Sequence, residues 1–466
     1  MIARAVLDRL KAAAGAGGWS EDQAEIAPHL VEWRDRYKGS TPLLLKPGSV
    51  EAVAAIVRVC AETKTPLVPQ GGNTGLVGGQ IPAGEVLLSL KRLQRVRDVD
   101  AVANTMTVDA GCVLSNVQSA ADAAGRLFPL SLASEGSATI GGLISTNAGG
   151  TGVLAYGNMR ELVLGLEAVL PNGEIWNGLS VLRKDNTGYD LKQLLIGAEG
   201  TLGVVTGAVL KLFPKPVAIE TALAAVENVD QALALLNFAR AQGGTVTAFE
   251  LMPRAGLEMV LAHIPGTRAP FERTYPWIVL IDVSLFAEQH FGAAQHVLTE
   301  AASAGLILDG VVAQSVAQAR AFWKLRESLS EAQKPEGGSL KHDVSVPISS
   351  IPRFIDEASR AVTAAVPGAR PVPFGHLGDG NIHFNISQPA GSDKAAFLAR
   401  LEDVARIVHD IVHTYGGSIS AEHGIGQAKV DEITHYKSPA ALEAMRAVKR
   451  ALDPDGIMNP GKVVRV

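Results

Sequence analysis

The first part of the chain combines helical hydrophobic spacing with short apolar runs of strand type. Between Ser49 and Thr63, apolar residues recur at the spacing of one helix face, which predicts a helix. Later runs predict strands at 66–69, 86–90 and 105–109, and a second helix near 115–124. The turn Pro171-Asn172-Gly173 separates two apolar runs and predicts a hairpin.

The second part of the chain begins at Val217, after Pro214 and Pro216, which indicate a linker. The runs ETALAAV, NVDQALALLNFARAQ and TVTAFELM follow one another as strand, helix and strand, and WIVLIDVS starts another round. Helices and strands then alternate as far as NIHFNIS, and the chain ends in a helix and a loop. This pattern predicts an α+β region with a mixed or antiparallel sheet backed by helices.

Length, charge and cysteine content exclude several classes of protein. The 466 residues, 47% hydrophobic and 19% charged, are enough for two or three globular domains. A net charge of -5 without a dense Lys/Arg run argues against a nucleic-acid partner. The N-terminus lacks a secretory signal, and the longest uncharged stretch, 136–159, is too polar for an integral membrane segment. With only Cys60 and Cys112, the sequence favours a cytoplasmic protein.

Two glycine-rich loops lie about sixty residues apart, each beside a predicted strand. They read PQGGNTGLVGGQIP and SEGSATIGGLISTNAGGTG. Loops that expose several backbone N–H groups bind anions, and the anion expected for two such loops is a dinucleotide pyrophosphate. Neither loop has the usual Rossmann arrangement of strand, G-x-G-x-x-G and helix.

The candidate catalytic residues lie near the C-terminus, in PFGHLGDGNIHFNIS and SAEHGIG. His376, His383, Glu422 and His423 are the residue types that hold a divalent metal and remove a proton. In a strand, His383 and Asn385 share one face and would point into one pocket. The alternative is that these histidines are buried and satisfied by backbone hydrogen bonds. The glycines around them favour a site, because glycine permits the tight turns that bring such groups together.

The motifs PLVPQGGNTGLVGGQIP, SEGSATIGG, STNAGG, GAEGTLGVVT and MNPGK resemble those of the FAD-linked oxidases of the vanillyl-alcohol-oxidase type. The C-terminal motifs resemble the D-2-hydroxyacid dehydrogenase branch of that family. The resemblance implies an α+β protein with a two-subdomain FAD-binding domain at 1–216. It further implies a substrate-binding cap at 217–435, with the metal site, and a segment at 436–466 that returns to the FAD domain.

The resemblance also implies roles for individual residues. His376, His383 and Glu422 would bind Zn²⁺, with Mn²⁺ or Co²⁺ as alternatives, and His423 would be the base; swapped roles for Glu422 and His423 stay open. FAD would be bound non-covalently, because Asn73 stands where covalently linked members carry histidine. The residues implied to contact FAD are Pro69, Gly71, Gly72, Asn73, Thr74, Gly75, Leu76, Ser134, Gly136, Ser137, Thr139, Gly141, Gly142, Asn147, Gly149, Gly150, Glu199, Gly203, Val204, Val205 and Asn459.

The substrate implied by the resemblance is a small D-2-hydroxy acid. D-2-hydroxyglutarate is the first expectation, and D-malate is the alternative. Arg326, Ser330 and Lys341 match the Arg, Thr and Lys that hold the distal carboxylate in D-2-hydroxyglutarate dehydrogenases, and Asn385 would contact the substrate. For Arg326 the alternative is a solvated helix face with acidic neighbours. The implied reaction is hydride transfer to flavin N5.

Two other functions stay open: a D-lactate dehydrogenase, and a flavin-binding subunit of a glycolate- or lactate-oxidising complex. The sequence has no haem or iron–sulfur motif. The expected electron acceptor is therefore a partner, such as an electron-transfer flavoprotein or a quinone, and a homodimer is an open expectation.

Overall fold

The computed structural model describes residues 2–242 and 245–466. The strands of this described part are β1 (Trp19–Ser20), β2 (Leu44–Leu45), β3 (Leu67–Gln70), β4 (Val86–Ser89), β5 (Val96–Asp100), β6 (Thr105–Asp109), β7 (Arg126–Leu127), β8 (Val163–Val169), β9 (Ile175–Gly178), β10 (Val204–Lys211), β11 (Phe213–Pro214), β12 (Ala218–Val226), β13 (Thr245–Pro253), β14 (Trp277–Leu285), β15 (Asp309–Val312), β16 (Ser339–Ser345), β17 (Arg370–His376) and β18 (Asn381–Ser387).

The helices of the described part are α1 (Arg4–Ala14), α2 (Gln23–Ile26), α3 (Val50–Thr63), α4 (Leu114–Ala123), α5 (Ile140–Ser145), α6 (Val153–Tyr156), α7 (Met159–Leu162), α8 (Lys192–Leu195), α9 (Val229–Ala241), α10 (Arg254–His263), α11 (Ala293–Ser303), α12 (Val316–Glu327), α13 (Leu329–Ala332), α14 (Ile351–Ala365), α15 (Lys394–Leu398), α16 (Leu401–Thr414), α17 (Ile433–Tyr436) and α18 (Pro439–Leu452). Short 3₁₀ turns occur at Ala27–His29, Glu288–His290 and Ile348–Ser350.

The chain divides into two compact units. The first contains the residues up to Gly150, together with Gly157–Lys215 and Glu422–Val466. The second contains Thr151–Tyr156 and Pro216–Ala421. Each unit is therefore built from segments that are distant in sequence.

The first unit contains two main sheets, with strand orders β1-β2-β4-β3 and β5-β6-β10-β8-β9. Its helix α3 confirms the helix predicted over 49–63. The Ser49 side chain caps the first turn by accepting from the Ala52 N–H, and Lys64 ends the helix in a left-handed conformation. The predicted hairpin is also present, because β8 and β9 pair across a turn in which Gly173 has a positive φ.

The second unit is a seven-stranded antiparallel sheet with the order β15-β12-β14-β13-β17-β18-β16. Successive side chains of a strand point to opposite faces, so each strand contributes to two cores. On β14, Val279 and Ile281 pack with α9, α11, α14 and α16, whereas Ile278 and Leu280 pack with α10, α12 and α13. The sheet is thus covered by helices on both faces.

The second glycine-rich stretch is not a loop throughout, because part of it forms α5. Ile140, Leu143 and Ile144 follow the i, i+3, i+4 spacing and are buried on one side of this short helix. Gly141 allows the helix to pack closely, since a Cβ there would lie 2.8 Å from Ala110 Cβ. The sequence did not predict this helix, because its few apolar residues lie among many glycine, serine and threonine residues.

Among the described helices, none has both the length and the apolar run needed to cross a membrane.

Candidate active site

The two glycine-rich loops of the first unit lie against each other. A Cβ on Gly71 would be 2.2 Å from Thr139 Oγ1, and one on Gly72 would be 2.1 Å from the Ser137 carbonyl oxygen. A Cβ does not fit at either distance unless the neighbouring atom moves, so both positions favour glycine. The structure therefore brings together five of the residues expected to contact FAD: Gly71, Gly72, Ser137, Thr139 and Gly142.

Buried polar atoms at these loops fit a bound dinucleotide. Thr139 Oγ1 is buried and has no hydrogen-bond partner within the described chain. The same holds for Asn459 Oδ1, whose amide group donates to the Gly79 and Glu199 carbonyl oxygens at 2.9 and 2.7 Å. An unpaired buried polar atom is costly, which favours a ligand that supplies the missing partner. The residues present thus fit FAD.

Other residues of the expected FAD set have side chains that are already engaged. The Asn73 amide group donates to the Pro28 and Val31 carbonyl oxygens, and its Oδ1 accepts from Gln80. Asn147 Oδ1 accepts from the Arg160 N–H at 2.9 Å. Both asparagines have left-handed φ angles, so their backbone conformation, rather than their side chains, shapes the loops.

The remaining members of that set are distributed along neighbouring elements of the first unit. Pro69 lies in β3, where its ring contacts Gly200. The others lie in the loop after β3 (Thr74, Gly75, Leu76), before or within α5 (Ser134, Gly136, Gly141), after α5 (Gly149, Gly150) and at the start of β10 (Gly203, Val204, Val205).

Glu199 holds the last residues of the AEHGIG segment within the first unit. Its carboxylate accepts from the Ile425 N–H at 2.7 Å and from the Gly426 N–H at 2.9 Å. Burial raises the pKa of this carboxyl to about 7, although the two N–H groups act against that rise. Gly424 and Gly426 both have positive φ, a backbone conformation that glycine adopts without strain.

His376, His383 and Glu422 form a group that could hold a metal ion. Each offers one ligand atom, and these atoms lie within 4.8 Å of one another. The two histidines lie on the paired strands β17 and β18, with ring centroids 5.5 Å apart. Glu422 directly follows Ala421, whose N–H donates to the Asp343 carbonyl oxygen of β16. Two imidazoles and a carboxylate are the ligands of a catalytic zinc site with an open position, so the residues fit the expected metal.

A buried carboxylate supports the first of these histidines. Glu250 Oε1 lies 2.6 Å from His376 Nδ1, and Glu250 Oε2 accepts from Arg326 Nε at 2.7 Å. Burial would raise the pKa of Glu250, but its interactions with His376 and Arg326 hold the pKa of this carboxyl well below its usual range. A similar but longer contact of 3.7 Å joins His383 Nδ1 to Asp343 Oδ1.

Strand register places two of the candidate substrate residues, Lys341 and Asn385, on the same face of the sheet as the two histidines. Lys341 is opposite Asn385, and Asp343 is opposite His383, across β16 and β18. Lys341 Nζ donates to the Ser330 carbonyl oxygen at 3.2 Å. Asn385 is 2% exposed, and its amide nitrogen has no partner within the described chain. A polar stripe therefore runs across this face, made of Glu250, His376, His383, Asp343, Asn385 and Lys341.

Sequence reasoning missed Glu250 and Asp282, two buried carboxylates on this face. Asp282 accepts from Thr221 Oγ1 and from Trp323 Nε1, and burial raises its pKa to about 6. Each carboxylate interrupts an otherwise buried hydrophobic strand. That interruption was the available signal, because a charged residue in a buried strand requires a partner.

Two family models match the chain. One, described as FAD linked oxidases, C-terminal domain, matches residues 215–463, and the other, described as FAD binding domain, matches residues 41–178. The chain belongs to the FAD-linked oxidases. The FAD-binding match spans both glycine-rich loops, so the loops that meet in the structure are those of a domain that binds FAD.

Curated relatives of this FAD-linked oxidase cover most of its length. A mitochondrial D-2-hydroxyglutarate dehydrogenase of Arabidopsis thaliana is 37% identical over 95% of this chain and 78% of its own. A D-2-hydroxyglutarate dehydrogenase of Xanthomonas citri is 39% identical over 95% of this chain and 93% of its own. A D-2-hydroxyglutarate–pyruvate transhydrogenase of Saccharomyces cerevisiae is 37% identical over 96% of this chain and 91% of its own.

Solved structures confirm the fold class of this FAD-linked oxidase. p-Cresol methylhydroxylase aligns with a TM-score of 0.77 and 16% identity over 98% of this chain and 96% of its own. Alkyldihydroxyacetonephosphate synthase aligns with a TM-score of 0.75 and 18% identity over 99% of this chain and 86% of its own. The chain therefore has the α+β fold of the vanillyl-alcohol-oxidase type.

Proposed function

We propose that this FAD-linked oxidase oxidises D-2-hydroxyglutarate to its 2-oxo acid. The observation that carries the proposal is the polar stripe, which aligns a cationic side chain, Lys341, with the candidate metal ligands His376 and His383. A diacid has a carboxylate at each end, and such a stripe offers separate groups for the two ends. The names of the three curated relatives support the same substrate.

In this proposal, different residues bind the substrate and accept its proton. Lys341, Ser330 and Arg326 bind the distal carboxylate, because cationic and hydroxyl donors form charge-assisted hydrogen bonds with it. Asn385 donates its buried amide N–H to the substrate near the reacting carbon. His423 accepts the proton of the 2-hydroxyl group as general base.

Two bound groups complete the chemistry. FAD, held by the paired glycine loops, supplies at N5 the two-electron acceptor for the hydride that leaves C2. Zinc, for which His376, His383 and Glu422 are the proposed ligands, supplies a Lewis acid that lowers the pKa of a bound hydroxyl. Mn²⁺ or Co²⁺ could replace zinc, since mixed nitrogen and oxygen ligands accept them as well.

We also propose roles for the two units, the way FAD is held, and the partners of the protein. The first unit serves as the FAD domain and the second as the substrate domain. FAD is held non-covalently, because position 73 is an asparagine, and an amide side chain does not form the flavin bond that a histidine at this position forms. An electron-transfer flavoprotein or a quinone reoxidises the flavin, and the protein is a homodimer. A cytoplasmic location stays a prediction, because the plant relative is named as mitochondrial.

The test is anaerobic mixing of the yellow protein with D- and L-2-hydroxyglutarate, D-malate and D-lactate. We expect D-2-hydroxyglutarate to bleach the flavin fastest, the L enantiomer to leave it oxidised, and chelation to abolish the reaction until zinc is restored. Lys341→Met should lower kcat/KM for the diacid about ten- to a hundredfold, since a charge-assisted bond contributes about 1.5–3 kcal/mol. Activity with D-lactate should change little.

Lys394→Met is the matched control, because Lys394 is an exposed lysine of the same unit. If Lys341→Met lowers kcat/KM for D-lactate and the diacid equally, Lys341 does not bind the distal carboxylate. If D-lactate bleaches the flavin faster than the diacid, the protein is a D-lactate dehydrogenase. Full activity after complete removal of metal would exclude the metal site.

A further inference from the structure

Glu250 of β13 joins a candidate metal ligand to a candidate substrate residue. Glu250 is 1% exposed, and each of its carboxylate oxygens has a partner: Oε1 lies 2.6 Å from His376 Nδ1, and Oε2 accepts from Arg326 Nε at 2.7 Å. Arg326 is itself buried, and its guanidinium carbon lies 5.0 Å from the centroid of the Phe374 ring. The three side chains therefore form one buried series, Arg326–Glu250–His376.

The Nδ1 contact determines which nitrogen of His376 can bind a metal. A carboxylate accepts only, so the proton of a neutral His376 ring must lie on Nδ1, and Nε2 keeps its lone pair. Outer partners of this kind orient a ligating histidine and make it more basic. Glu250 thus holds His376 in the tautomer that a metal ligand needs.

Arg326 in turn holds Glu250. Its guanidinium places a positive charge beside the buried carboxylate. Arg326 lies on α12. One turn earlier on the same helix, Trp323 Nε1 donates to Asp282 of β14 at 3.0 Å. Two neighbouring strands therefore anchor the same helix through two carboxylates.

We infer that Glu250 is a positioning residue for the metal ligand His376, and that Arg326 acts on the metal site through it. The inference rests on the proposed function, because it needs a metal at His376, His383 and Glu422. Arg326 then has two roles: it neutralises Glu250, and in the proposed function it also binds the distal carboxylate. Neither Glu250 nor Arg326 is assigned a bond to the reacting atoms.

Glu250→Gln tests the tautomer directly at nearly constant volume. Arg326 can only donate, so it takes the amide oxygen and leaves the NH₂ group facing His376. Nδ1 must then accept, which moves the ring proton to Nε2 and blocks the metal-binding nitrogen. Loss of an outer partner typically weakens metal binding by about 10–100-fold. Arg326→Met should weaken it in the same direction, because Glu250 loses its compensating charge.

The measurement is zinc affinity of the full-length flavoprotein by competition with a chromophoric chelator, read beside flavin content and melting temperature. Asp282→Asn is the matched control, because Asp282 is a buried carboxylate on the adjacent strand β14 that accepts from Thr221 Oγ1 and Trp323 Nε1. We expect Glu250→Gln and Arg326→Met to bind zinc at least tenfold more weakly, while Asp282→Asn keeps wild-type affinity.

Folded Glu250→Gln and Arg326→Met proteins with wild-type zinc affinity would overturn the inference. An equal loss in Asp282→Asn would also overturn it, because the effect would then come from the docking of α12. Failure of the proposed function looks different. In that case the wild-type protein itself would bind no zinc or would not oxidise the diacid, before any variant is compared.

Discussion

At the scale of single residues, two glycines allow the two glycine-rich loops of the candidate FAD site to pack closely. Gly72 and Gly71 are needed because the second glycine-rich loop occupies the space where their Cβ atoms would lie. Gly72 faces a backbone oxygen, Ser137 O, which cannot move without displacing the loop. At Gly71 the close neighbour is the Thr139 hydroxyl, a side-chain group that can rotate. The two glycines therefore differ in how far a neighbour can adjust.

We predict that Gly72→Ala weakens FAD binding. Overpacking of this kind costs about 1–3 kcal/mol, which corresponds to about 5- to 150-fold in affinity. Fluorescence titration of the apoprotein with FAD measures the dissociation constant and so tests the predicted loss of affinity. Gly48→Ala, outside both glycine-rich loops, is the control, because a Cβ there would meet only the end of the flexible Arg92 side chain, at 3.3 Å. Equal affinities for both variants would show that contact between the loops does not shape the FAD site.

At the scale of elements, α18 holds the C-terminal MNPGK turn in place. Lys449 on this helix donates to the Thr201 and Met458 carbonyl oxygens at 2.7 and 2.8 Å, and also to Asp453. Asp453 in turn accepts from the Ile457 and Met458 N–H groups at 3.0 and 2.9 Å. This buried ion pair therefore fixes the segment that carries Asn459 to the neighbourhood of Gly79.

We predict that Lys449→Met lowers the free energy of unfolding by about 3–5 kcal/mol, because it leaves the buried carboxylate of Asp453 without its cation. Denaturant unfolding measures the loss. Arg450→Met, at an exposed position of the same helix, should stay within about 0.5 kcal/mol of wild type. A loss as small for Lys449→Met as for Arg450→Met would mean that the turn is held by other contacts.

At the scale of the whole molecule, buried carboxyl groups make stability depend on pH. Glu199 has a folded-state pKa of about 7, raised mainly by burial from an ordinary value of 4.5. Below pH 4.5 the group is protonated in both the folded and the unfolded state. Between pH 4.5 and 7 only the unfolded state releases the proton, so this group lowers the free energy of unfolding as pH rises, and above pH 7 its effect is constant.

We predict that Glu199→Gln reduces the fall in stability between pH 5 and 7.5. The amide does not titrate. The stability that the variant loses through weaker hydrogen bonds to Ile425 and Gly426 is therefore nearly independent of pH. Melting temperatures of wild type and variant across this range test the prediction. Glu443→Gln, at an exposed position, should leave the wild-type pH dependence intact. The same slope in Glu199→Gln as in wild type would show that Glu199 ionises normally in the folded protein.

Local sequence was sufficient for the features that depend on neighbouring residues. The helix α3 was predicted from the spacing of its apolar residues, and the β8–β9 hairpin from its Pro-Asn-Gly turn. The shared face of His383 and Asn385 follows from the two-residue period of a strand. These properties were predictable because spacing along the chain records which side of an element is buried.

Tertiary structure alone decided the contacts between distant segments. Glu250 and His376 are 126 positions apart, and Glu250 and Arg326 are 76 apart. Thr151–Tyr156 belongs to the second unit although both its flanks belong to the first. Hydrophobic spacing shows that a position is buried but not which residue meets it, because the partner is selected by strand order and helix packing. The chain's own pattern thus determined its elements and its candidate chemistry, whereas the fold determined which charge supports which ligand.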